Sequence, residues 1–108
     1  DKVKLTTEIG GKRAAQVMLV MGSQSGTQNH FPNWKENLKL ALRLQQTLEN
    51  KYPTLARPLS LTSSGYNESL TKGSLLIEFG TDANTVEEAH YSAGLVGNAL
   101  ADLLNNLK

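Results

Sequence analysis

Residues Ser74 to Thr81 read Ser-Leu-Leu-Ile-Glu-Phe-Gly-Thr, a short apolar run that holds one carboxylate, Glu78, just ahead of Gly80. A carboxylate at the carboxyl end of a strand, where a glycine lets the backbone turn out of the sheet, is placed for general acid or base work, because open α/β sheets bind ligands outside that edge. Strand alternation puts Leu75, Ile77 and Phe79 on one face and Leu76 and Glu78 on the other. Both faces are mostly apolar, so the strand is expected to be covered on both sides, as in a parallel sheet. The competing reading of Glu78 is a solvated strand-end residue with no task.

Three other arrangements bear on chemistry. The loop Gly22-Ser23-Gln24-Ser25-Gly26-Thr27 follows an apolar strand and resembles the phosphate loop of flavodoxin-like FMN-binding domains, which aim backbone amides and hydroxyls at a phosphate beside a helix start. Against it, Pro32 delays the helix to Asn33, the preceding strand closes a hairpin, and few aromatics remain to sandwich a flavin. Metal binding requires several donors converging on one point, and the chain has only two histidines. His30 lies in the polar loop, at the sheet edge where Glu78 is expected, and His90 falls on the flank of the last helix. A serine hydrolase would need a nucleophile elbow, and no such pattern occurs.

The elements that must position these residues are set by the hydrophobic periods. Lys2 to Ile9 alternates, Gly10-Gly11 comes next, and a second strand runs from about Arg13 to Met21, which is a hairpin signal. The continuous Val17 to Met21 run belongs inside the sheet, and the lysine-bearing first strand at an edge. Asn33 is an N-cap, with Glu36 three residues on. The helix it opens ends near Lys51, ahead of Pro53. Its expected inner stripe is Trp34, Leu38, Ala41, Leu42, Leu48 and Tyr52, with Lys35, Lys39, Arg43, Gln46 and Asn50 outside. Thr54 to Gly73 is a connection in which Leu59 to Thr62 alternates over a short strand length. Asn84 or Thr85 caps a second helix with Glu87 and Glu88 in its first turn, and its expected buried stripe is Ala89, Ala93, Val96, Leu100, Leu103 and Leu107. Gly94 and Gly97 suggest a close approach of this helix to the sheet. The order strand, helix, strand, helix implies parallel pairing of the second and last strands in an α/β layer.

Composition sets limits on function. A chain of 108 residues with 39% hydrophobic and 19% charged residues suits one soluble domain or part of one. A net charge of +1 gives no field that argues for nucleic acid. Without cysteine there is no disulfide framework, thiolate metal site or cysteine nucleophile. The longest apolar run, Val17 to Met21, is far short of the ~20 residues that span a bilayer. No signal peptide opens the sequence, and a start at Asp1 suggests a piece of a longer protein.

Four segments in order carry a more specific likeness. His30-Phe31-Pro32-Asn33-Trp34-Lys35-Glu36-Asn37-Leu38-Lys39-Leu40-Ala41, Lys51-Tyr52-Pro53-Thr54-Leu55-Ala56-Arg57-Pro58, Tyr66-Asn67-Glu68-Ser69-Leu70 and Ser74 to Ala89 resemble the C-terminal part of the stage II sporulation protein P family, related to the zinc-dependent N-acetylmuramoyl-L-alanine amidases. The resemblance implies that residues 1–108 are the C-terminal portion of a peptidoglycan amidase catalytic domain, built as an N-terminal β-hairpin plus two βα units, the back half of a three-layer α/β sheet domain. It implies a membrane-anchored, extracytoplasmic enzyme of the sporulation septum that cuts stem peptides from glycan and also cleaves peptide cross-links, with stage II sporulation protein D as partner. In those amidases a strand-end glutamate followed by a glycine is the catalytic acid or base, and Glu78 matches it. The zinc ligands of the family belong upstream of the region this chain resembles, and no residue of the chain matches one. Arg57, Tyr66 and Asn67 take substrate-binding positions by family place alone. A buried Glu78 would suit the role, since desolvation raises a carboxyl pKa while zinc opposes the rise. With the upstream half absent, an unpaired sheet edge is expected to drive self-association. The competing class is a non-catalytic module that binds peptidoglycan or a partner.

Overall fold

The computed structural model describes residues 4–22, 34–62 and 75–106. Their order is β1 (Thr6–Ile9), β2 (Lys12–Ala15), β3 (Val17–Gly22), α1 (Trp34–Lys51), β4 (Ser60–Thr62), β5 (Leu76–Phe79) and α2 (Val86–Asn106). The mixed α/β class is as expected. The loop after Gly22 with His30, the cap at Asn33, and the segment carrying Tyr66 and Asn67 lie outside the described residues.

The N-terminal hairpin forms where the glycines require it. Ile9 pairs with Lys12, and the two residues between them, Gly10 and Gly11, have φ of 60° and 80°. Two successive left-handed residues make the turn whose twist matches that of the flanking strands. The strand expected over Arg13 to Met21 is divided at Gln16. The Gln16 amide donates to Leu5 O (2.9 Å), and its carbonyl accepts from Gly80 N (2.7 Å). β1 and β5 therefore lie end to end along one edge of the β2–β3 segment, meeting at Gln16.

The larger sheet has the order β4-β3-β5, so the Val17–Gly22 run is interior as its composition predicts. β4 runs parallel to β3, making β3–α1–β4 a βαβ unit. The short alternation at Leu59 to Thr62 is thus a strand. β5, however, pairs antiparallel with β3, Val17 opposite Phe79 and Val20 opposite Leu76, which corrects the parallel pairing expected for this strand. The reversal delivers Gly80 to Gln16 and starts α2 over the hairpin.

One core binds these pieces. Ala14, Val17, Leu19, Leu44, Leu48, Leu55, Leu95, Val96, Ala99 and Leu103 are buried in a single cluster, so among the described residues both helices share one face of the sheet. Truncating a fully buried member such as Leu48 to alanine costs about 2–5 kcal/mol by analogy with measured core deletions. The helix faces are as expected in part: Ala41, Leu48, Val96 and Leu103 are buried and Tyr52 and Leu100 pack against the core, while other positions differ and Leu107 lies outside the described residues. In α1 the buried positions are Asn37, Ala41, Leu44, Gln45 and Leu48, while Leu42 is 51% exposed. In α2 they are Glu88, Ser92, Leu95, Val96, Ala99 and Leu103, and Ala93 is exposed. The close approach expected at Gly94 and Gly97 is absent: a Cβ at either would meet nothing within 4 Å. The polar flank Lys35, Lys39, Arg43, Gln46 and Asn50 is exposed as expected. No helix among the described residues is long and apolar enough to cross a membrane.

Candidate functional site

Glu78 is the third residue of β5, opposite Met18. Ile77 and Phe79 are half-buried toward the helices, whereas Leu76 and Glu78 face the other way and are exposed. The expected burial of this strand on both faces is thereby overturned, and with it the desolvation argument for Glu78. The cause is position: among the described residues β5 is an edge strand, and both described helices pack on its other face.

The turn after Glu78 is rigid. Gly80 has φ of 65° and is anchored to Gln16 O. Beyond it, Thr81 N donates to Asn84 Oδ1 (2.9 Å), Asn84 N to Thr81 O (3.0 Å), and Ala83 N to Thr81 Oγ1 (3.1 Å). A Cβ at Gly80 would stand 2.3 Å from Asn84 Oδ1, so this turn requires glycine for space as well as for φ.

Arg57 reaches the same end of the sheet from the other side. Val17 N donates to Leu55 O (2.9 Å) and Arg57 N donates to Val17 O (2.7 Å), while Arg57 O accepts from Gln45 Nε2 (2.9 Å). Since Met18 is opposite Glu78, residues 17 and 18 of β3 carry Arg57 along one edge and Glu78 along the other, about 10 Å apart by two strand spacings. Of the four expected site residues, these two flank the same end of β3. Tyr66 and Asn67 lie outside the described residues.

Antiparallel β5 also separates Glu78 from the start of the loop that carries His30. β3 leaves the sheet at Gly22, four residues beyond Met18, or ~13 Å of strand. The carboxyl end of β5 lies beside the amino end of β3, so the rule that places ligands at the carboxyl edge of parallel strands does not apply to Glu78.

A second carboxylate, Glu88, is bonded through both of its oxygens. Its Oε1 accepts from Asn84 Nδ2 (3.0 Å) and Thr85 N (3.1 Å), and Thr85 Oγ1 accepts from Glu88 N (3.0 Å). The reciprocal pair is a capping box, which confirms Thr85 as the cap of α2. Glu88 Oε2 meets Lys4 Nζ at 3.1 Å and Arg13 Nε at 3.4 Å. The Asn84 hydrogen bond first, then those from Thr85 and Lys4, hold its carboxyl at about 2, against the rise that burial would give. Both oxygens are engaged, so Glu88 fastens the hairpin to α2 rather than moving protons. The Thr-Val-Glu-Glu sequence at 85–88 was the signal for its position.

Beside this clasp a groove of about 640 Å³ opens between the hairpin and the first turn of α2, walled in part by Lys12, Val86, Glu87, His90 and Tyr91. Lys12 Nζ sits 4.7 Å from the Tyr91 ring centre, and Tyr91 Oη donates to Ile9 O (2.8 Å). His90 is exposed on the helix flank, as expected. Among the described residues no group of three or more His, Cys, Asp and Glu side chains is arranged to hold a metal ion.

The family described as stage II sporulation protein P matches residues 1–101 of this chain. Stage II sporulation protein P of Bacillus subtilis (strain 168) is 37% identical over 111 residues, covering 98% of the chain and 25% of that protein. The chain thus spans about a quarter of the length of this curated relative. No solved structure matches it.

Proposed function

As a chain that belongs to the stage II sporulation protein P family, this polypeptide is, we propose, the C-terminal portion of the catalytic domain of a sporulation peptidoglycan hydrolase, with Glu78 as its proton-transfer residue. The bond cut is the N-acetylmuramoyl-L-alanine amide, with cleavage of peptide cross-links as a further activity. The parent enzyme is zinc-dependent, membrane-anchored and extracytoplasmic, and it acts on septal peptidoglycan during engulfment together with stage II sporulation protein D.

The observation that carries this reading is the exposed Glu78 carboxylate at a strand end locked by Gly80 and Asn84. It has no hydrogen bond or ion pair of its own among the described residues, so it is free to act on a substrate. Amide hydrolysis needs a group that takes a proton from the attacking water and returns it to the leaving nitrogen. Arg57, at the same end of β3, is placed to hold an anionic part of a stem peptide, and Tyr66 and Asn67 complete the substrate set. The described residues do not fit a zinc site, and its ligands are assigned to the parent protein outside them.

The test is release of stem peptides from purified peptidoglycan, comparing this chain with a longer polypeptide that restores the upstream part, each with added zinc. Release by the longer polypeptide alone, abolished by Glu78→Ala, supports the reading. Release by both, indifferent to Glu78→Ala, would overturn it. Retention of the short chain on insoluble peptidoglycan without product would instead favour a binding module.

A further inference from the structure

The outward face of α1 carries a row of cations that the fold does not use. Lys35, Lys39 and Arg43 recur every four residues, all exposed, and none makes an ion pair or side-chain hydrogen bond among the described residues. At 1.5 Å per residue they span ~12 Å of one helix stripe. Leu42, 51% exposed, stands beside them. The core positions Ala41, Leu44 and Leu48 occupy the opposite face, so the row is held rigidly outward.

The arrangement works against the helix. Like charges four residues apart destabilise it, and a cation in the first turn opposes the helix dipole. The acid in that turn, Glu36, lies three residues before Lys39 and offsets part of this repulsion, but no ion pair joins it to the row among the described residues. Three other cations among the described residues are paired internally: Lys4 and Arg13 by Glu88, and Lys51 by Asp102 at 2.6 Å. A local cost without an internal partner is what an external partner explains.

We propose that this face of α1 docks on an anionic phospholipid surface, with Lys35, Lys39 and Arg43 against headgroup phosphates and Leu42 at the headgroup boundary. A straight, rigid row of cations with one apolar side chain fits a plane of negative charge. Among the described residues no tyrosine or phenylalanine stands along the row to stack on bases, as single-stranded nucleic acid binding requires. Each basic side chain near such a surface contributes about a five-fold gain in partitioning, so three give a gain on the order of 100-fold.

The experiment is co-sedimentation of the chain with phosphatidylcholine vesicles, with and without phosphatidylglycerol, at low and at physiological ionic strength. Binding should require phosphatidylglycerol, weaken with salt, fall on the order of 100-fold in the variant Lys35→Glu, Lys39→Glu, Arg43→Glu, and fall less in Leu42→Ser. Circular dichroism checks that the charge-reversed chain is folded. Reversal of Lys12 alone, compared with reversal of Lys39 alone, controls for net charge and should leave more of the binding than the Lys39 reversal. Equal binding to both vesicle types, unaltered binding after α1 reversal, or retention by soluble polyphosphate with none by phosphatidylglycerol vesicles would each overturn the proposal.

Discussion

The side-chain amide of Asn84 pairs with the backbone of Leu5 much as a neighbouring strand residue would: Oδ1 accepts from Leu5 N (3.2 Å) and Nδ2 donates to Leu5 O (3.0 Å). Asn84 thus fills the gap between the end of β5 and the start of β1. Its Nδ2 also reaches Thr6 Oγ1 (3.1 Å) and Glu88. Replacing it by alanine leaves the Leu5 and Thr81 amides without these acceptors. The expected loss for Asn84→Ala is about 2–4 kcal/mol, from several hydrogen bonds at about 1 kcal/mol each, read as a lower urea midpoint. Asn84→Asp should also destabilise, because it exchanges a donor to Glu88 for a like charge.

Gly80→Ala should cost at least the ~1–2 kcal/mol of forcing a β-carbon into the left-handed region, and more where the new atom displaces Asn84. In an Asn84→Ala background the additional cost should shrink toward that backbone value, and a double-mutant cycle would measure the coupling. Simple additivity would show that the two residues do not share one constraint.

Glu88 makes stability depend on acid. Its folded carboxyl titrates at about 2 against an ordinary 4.5, so the unfolded chain binds the proton more readily. The contribution is complete above about pH 4.5 and is lost as pH falls from there toward 2. Glu88→Gln should lower stability at neutral pH and flatten the unfolding midpoint across that acid window. An unchanged pH profile in the variant would place the acid sensitivity elsewhere.

Gly94 and Gly97 face solvent with open space at the Cβ position. Each substitution by alanine should therefore stabilise the chain by about 0.5–1 kcal/mol, through helix propensity and a less free unfolded chain. Thermal melts of the two single variants and the double variant would show near-additive gains.

Glu78→Gln separates function from fold. The side chain is exposed and without an internal partner among the described residues, so thermal stability should change by less than about 0.5 kcal/mol. Peptide release by the longer polypeptide should fall by about 100-fold or more, the scale of lost general acid–base catalysis. A stable variant with full activity would remove Glu78 from the reaction.

Features written in local chemistry were legible in the sequence: the Gly10-Gly11 turn, the Thr85 and Glu88 cap, the stop before Pro53, and the interior Val17–Met21 strand. The helix faces were harder, because polar side chains hold core positions. Ser92 is buried since its Oγ donates to Ala15 O, and Gln45 since its Nε2 meets Arg57 O. A pattern that counts only apolar residues assigns those positions to solvent and rotates the stripe. The direction of β5 was not legible at all, because alternation is the same for either direction. It depends on Gly80 reaching Gln16, a tertiary bond that no local signal encodes. That one reversal changed the surroundings of Glu78 within the candidate site.

The join at Gln16 also bears on how the chain reaches its native state. The hairpin that supplies Leu5 closes over a two-residue turn, whereas Asn84 meets Leu5 across 79 positions of sequence. Contacts of such high separation carry a large loop-closure cost and slow folding. The first strand should therefore form early and wait, its Leu5 N–H without the Asn84 acceptor, until β5 and the first turn of α2 arrive. Stopped-flow refolding of Asn84→Ala would then show its effect mainly in the unfolding arm of the chevron, the signature of a fastening made after the rate-limiting step.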